Sequence, residues 1–278
     1  MPDFLLYFIT ASLYALLSIA AWVRMPAPRT DPVISPDGES PSAWRRLLLP
    51  FTLLLHALLL YRAMMGGEGF NLNLGTALSV IIWLTALIYW VESYWVNVGV
   101  LQNLILPFAA LAVLLPYFMA SQHVLSYASM ALFKAHLAIA MLAYGLLTIA
   151  ALHALLLSIL EKRLHSGQLP LFLRDLPSLI SLERLTFRIL LAGFVLLSLT
   201  LASGVGFSEE LFAKPFQVTH KVVFGIAAWT TFASLLAGRY FWGWRGRVAV
   251  RWLLAGFVFL LLAYLGSKFV LEILLHRN

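Results

Sequence analysis

The residues of this sequence best suited to chemistry are seven histidines: His56, His123, His136, His153, His165, His220 and His276. Neutral imidazole is a ligand for haem iron and for several transition metals. Position along the apolar runs sorts the seven by depth. His165 falls in a basic loop and is read as solvated. His123 and His220 fall in loops on the opposite side, His136 about one turn inside a long apolar run, and His276 at the end of the last run. These four form an outer cluster that could hold a haem or a metal ion. The competing reading is that they hydrogen-bond to headgroups or loop carbonyls.

His56 and His153 lie deep within their runs. At ~1.5 Å per residue, His136 and His153 are ~25 Å apart along one helix, so they cannot serve one site. An imidazole in hydrocarbon must face the bundle interior and find a partner. His56 and His153 sit at similar depths and could face each other. Alternatively, each bonds to a Ser, a Thr or a backbone carbonyl.

Other chemistry is sparse. The chain has no cysteine, which excludes disulfides, Cys-ligated zinc, iron–sulfur clusters, thiolate haem and thiol redox by this chain itself. Glu92 and the Lys268–Glu272 pair are read as anchors and packing contacts. Gly66-Gly67-Glu68-Gly69 lacks the lysine of a phosphate cradle. With no carboxylate pair or nucleophile elbow in view, nothing marks an independent catalytic activity. A solute or metal-ion transporter would need a polar path, for which His56 and His153 are the candidates.

The elements that must position these residues are membrane helices. The chain has 278 residues, 62% apolar and 11% charged, less than half the charge of an ordinary soluble domain. That is too little polar surface for a water-soluble globule. Eight runs are long enough to cross the hydrocarbon core: 4–23, 47–65, 74–95, 98–119, 132–160, 187–206, 216–238 and 249–273. The fold class expected is an all-α polytopic bundle, with residues 1–69 as an N-terminal two-helix region and 70–278 as the main membrane domain. A short interfacial helix is expected within 168–184. Met1-Pro2-Asp3 lacks the basic segment of a cleaved signal peptide, so the first run is read as a retained helix.

Charge sets the orientation. Thirteen of the nineteen Lys and Arg residues flank the loops after the first, fifth and seventh spans. The positive-inside rule puts that face in the cytoplasm and both termini outside. Trp22, Trp44, Trp90, Trp95, Trp242, Trp244 and Trp252 lie near the same boundaries, as an aromatic belt would. Basic residues in this arrangement speak for the bilayer as partner and against nucleic acid.

Several short motifs resemble the cytochrome c assembly family (CcsA/ResC), and most of all its HemX/YpjD-like branch. They are His136 followed by Tyr144-Gly145, Leu182-Glu183-Arg184-Leu185, Ser203-Gly204, Trp229, Gly243-Trp244-Arg245-Gly246-Arg247 and Tyr264-Leu265-Gly266, with Phe70-Asn71-Leu72 as a looser match upstream. The resemblance implies a bacterial inner-membrane protein that handles haem for attachment to apocytochrome c, with a haem-delivery subunit or apocytochrome c as partner. It implies His136 and His276 as axial ligands of the iron, with His220 as an alternative ligand or donor. Phe207, Phe212 and Phe216 would contact the ring. Two histidine ligands leave no open iron position, which suits carriage.

The sequence departs from the family at two places. Residues 205–216 contain no tryptophan where the family carries its WWD signature, and Ala237 stands where haem-exporting members have histidine. These departures favour a second reading, a membrane partner or regulator that has kept the scaffold and lost haem chemistry.

Overall fold

The computed structural model describes residues 2–23, 43–65, 70–96, 98–119, 131–165, 177–206 and 219–266. All the long elements are helices: α1 (Pro2–Val23), α2 (Ala43–Met65), α3 (Leu74–Glu92), α4 (Gly99–Ala112), α5 (Leu115–Phe118), α6 (Ala131–His165), α7 (Leu179–Gly206), α8 (His220–Trp242) and α9 (Gly246–Leu261). A π-helical turn, Leu262–Gly266, continues α9. Among the described residues, eight helical segments are long and apolar enough to span a membrane, α4 and α5 counting as one.

Hydrocarbon offers no partner for backbone or hydroxyl groups, so the chain must satisfy them internally. Helices do this for the backbone. Thr10, Thr52, Thr85, Thr148 and Thr186 do it for their hydroxyls, each donating to the carbonyl four residues back at 2.7–2.8 Å.

α6 is the axis of the bundle. It packs on α7, α3 and α9, while α1 packs on α4 and α2, and α8 on α9. One apolar core runs from Tyr14 and Leu17 in α1 through Leu147 and Ala150 in α6 to Leu253 and Leu260 in α9. The close approaches are made at glycines. A Cβ on Gly145 would lie 2.9 Å from Leu84 Cβ of α3, and one on Gly256 would lie 2.6 Å from the Phe232 ring of α8.

Three boundaries differ from the sequence expectation. α7 begins at Leu179, eight residues before the expected start at 187, so the end of the expected interfacial helix is the first turns of a spanning helix. The rest of 168–184 lies partly outside the described residues. The fourth span breaks after Ala112, and α5 restarts with Pro116 in its first turn, where the missing N–H is no loss. α8 runs to Trp242, past the expected 238, and stops at Gly243, whose φ of 66° is the left-handed conformation that glycine adopts freely.

Candidate functional site

One end of the bundle gathers the first residue of α6's buried face, the end of α7, the start of α8 and the end of α9. His136, half-buried, lies one turn into α6, and its Nδ1 is 2.7 Å from Ser203 Oγ in the last turn of α7. Ser203 has one proton, and it goes to the Thr200 carbonyl at 3.1 Å. With the hydroxyl proton so placed, the Ser203 oxygen accepts from His136 Nδ1–H, the tautomer that carries its lone pair on Nε2. Ligating histidines are usually held this way, by a hydrogen bond from the nitrogen that does not bind the metal.

The neighbours at this end are aromatic and basic. Lys221 acts electrostatically on His136, and its Nζ stands 5.6 Å over the Tyr264 ring in the π turn. Tyr264 meets Tyr144 edge-on at 5.8 Å, and the Tyr144 hydroxyl donates to the Leu260 carbonyl at 3.2 Å. One turn deeper, Trp229 donates to Ser198 Oγ at 2.8 Å and stacks on Phe194 at 5.5 Å. The backbone at Gly204 lies beside the imidazole, its Cβ position 3.5 Å from His136 Cε1.

His220, adjacent to Lys221, is the first residue of α8 and is exposed at this same end. His276, His123, Phe207, Phe212, Phe216 and the Lys268–Glu272 pair lie outside the described residues. His165 closes α6 at the opposite, basic end. Among the described residues no group of three His, Cys, Asp or Glu side chains could hold a metal ion by itself.

The deep histidines do not face each other. His56 is fully buried between α1 and α3, with Nδ1 3.2 Å from Tyr14 Oη and Nε2 2.9 Å from Ser79 Oγ. Both nitrogens are satisfied, so this imidazole is a structural cross-brace of three helices. His153 instead meets Glu92, the last residue of α3, with Nε2 2.9 Å from Oε1 and both side chains buried. The contact is close in distance but poorly aligned as a hydrogen bond, and among the described residues no other group hydrogen-bonds to either side chain.

Glu92 is thus more than the anchor its sequence position suggested. Its depth in the third span matches that of His153 in the fifth, and that coincidence was the available signal.

The opposite end carries the arginines. Glu183 accepts from Arg239 and, at 3.3 Å, from Arg245 Nε. Arg247 Nε donates to Glu161 at 3.2 Å. The run 243–247 makes this possible through two left-handed glycines, Gly243 and Gly246, with φ of 66° and 54°.

The sequence matches the family profile described as cytochrome C assembly protein over residues 44–275. It is 30% identical over 266 residues to the inner membrane protein YpjD of Escherichia coli K12, covering 94% of this chain and 98% of that protein. A 28.8 kDa protein of Azospirillum brasilense is 32% identical over 140 residues, 50% of this chain and 52% of that one. The cytochrome c biogenesis protein CcsA of Prochlorococcus marinus strain AS9601 is 34% identical over 89 residues, 32% of this chain and 29% of that protein. No solved structure matches.

Proposed function

The chain belongs to the cytochrome c assembly protein family, and on that premise we propose that it serves cytochrome c biogenesis as a haem-handling protein of the bacterial inner membrane. His136 would be one of the residues that hold the haem iron. The observation that carries the reading is the chain of hydrogen bonds from His136 through Ser203 to the Thr200 carbonyl, which prepares Nε2 as the donor atom.

The donor chemistry fits haem. The imidazole is held by Ser203, aromatic rings stand at the same end of the bundle, and Lys221 supplies a cation suited to a propionate. His276 or His220 is the second ligand. Haem held by two histidines would be carried in a closed coordination shell, without an open position for oxygen. This chain's residues hold and orient the group, and transfer to apocytochrome c falls to whatever partner presents the acceptor.

The test is the absorption spectrum of the purified full-length protein, expressed with ample haem. A Soret band that His136→Ala removes is expected. A wild-type protein without one would overturn the haem reading.

The second reading, a membrane partner or regulator that has lost haem chemistry, is favoured by one observation: residues 205–216 contain no tryptophan. It predicts normal cytochrome c in a deletion strain, together with altered abundance of a membrane protein that co-purifies with this chain.

A further inference from the structure

The basic end of the bundle holds a cavity of about 290 Å³ lined by Ile180 and Arg184 of α7, Arg239 of α8, and Gly243 and Arg245 of the turn that follows. Space for on the order of ten waters accommodates a phosphate with its glycerol. Three guanidinium groups reach this cavity, and one carboxylate answers them. Glu183 takes Arg239 and Arg245 on the same oxygen. Arg184 is exposed and forms no ion pair among the described residues. The cavity therefore keeps an excess of positive charge in the form that matches phosphate oxygens in pairs.

Two further features specify the ligand. α7 and α9 both begin here, at Leu179 and Gly246, so the positive ends of two helix dipoles point to this region. Beside the cavity, Tyr240, Phe241 and Trp242 end α8 with 83%, 71% and 72% of their surface exposed. Consecutive exposed aromatic side chains at the end of a spanning helix belong at the depth of lipid headgroups. A soluble phosphate compound would meet no such collar. A phospholipid places its phosphate at that depth and its acyl chains along α8.

We infer that this cavity is a binding site for the phosphate of an anionic phospholipid. Arg184 and Arg245 supply the contacts, while Arg239, packed 3.9 Å over the Phe187 ring and bonded to Glu183, is the fixed wall. Basic pockets between spanning helices recognise headgroups in this way.

The experiment is native mass spectrometry of the full chain released from nanodiscs of mixed phosphatidylcholine and phosphatidylglycerol. The wild type is expected to retain phosphatidylglycerol in preference to phosphatidylcholine. The Arg184→Gln/Arg245→Gln variant should lose about tenfold of that preference, and Arg184→Lys/Arg245→Lys, which keeps the charge without the paired donors, should lose a smaller part of it. Both pairs change exposed side chains, and an unaltered unfolding temperature certifies that the variant is folded; a variant that unfolds early is replaced by Arg184→Gln alone, read the same way. Equal retention of the two lipids by the wild type overturns the proposal. So does displacement of the lipid by inorganic phosphate, which would assign the cavity to a soluble anion.

Discussion

Ser203 Oγ lies 2.7 Å from His136 Nδ1 and 3.1 Å from the Thr200 carbonyl, so α6 and α7 together hold one imidazole in place. Removing the hydroxyl leaves the imidazole in place but free to rotate and to exchange tautomers. Ser203→Ala is therefore expected to weaken haem retention by about 10–100-fold, the usual cost of losing such a partner. Ser203→Thr, which keeps the acceptor, should retain most of it. Haem titration of the purified variants measures both.

The Glu92–His153 pair should behave as a buried unit. Removing one partner strands the other, and His153→Ala or Glu92→Ala is expected to cost about 3–5 kcal/mol. Replacing both by apolar residues of similar size, Glu92→Leu/His153→Phe, should cost less than the sum. A double-mutant cycle on unfolding in detergent reads the coupling. Additive single effects would show that the two side chains do not depend on each other.

His56 braces three helices through two hydrogen bonds. Tyr14→Phe and Ser79→Ala each remove one, and each should cost about 0.5–2 kcal/mol. His56→Leu should exceed either, because it strands both hydroxyls. If His56 instead served solute passage, its loss would alter uptake without lowering the unfolding temperature.

Gly256 lets the Phe232 ring lie against the α9 backbone. Gly256→Ala should destabilise the protein by about 1–3 kcal/mol, since the ring must move within a packed core. Adding Phe232→Leu should return part of that loss. Thermal unfolding of the two variants in the same detergent is the measurement.

What could be read from the residues depended on the range of the interaction concerned. Apolar length alone locates the spans, since each is a local property of about twenty residues, and the depth of His136 follows from counting along one of them. The partner of His153 depends on how α3 and α6 meet, across 61 residues of chain. Glu183 is separated from Arg239 by 56 residues, and no local pattern joins them. Motifs met as similarities acquire separate physical jobs. Ser203 orients an imidazole, Gly145 admits Leu84, and the glycines of 243–247 aim two arginines. Glu183 and Arg184 interrupt the apolar run and so hide the start of α7, although Glu183 is buried with its arginine partners.

α6 has 35 residues and is therefore about 52 Å long, against a hydrocarbon layer about 30 Å thick. Tilt absorbs only part of that difference. With His136 near one boundary, the turns bearing Glu161, Lys162 and Arg163 reach past the hydrocarbon, where Glu161 pairs with Arg247 at the start of α9. Whatever docks on the basic loops therefore touches the same continuous rod that bears the imidazole near its opposite end.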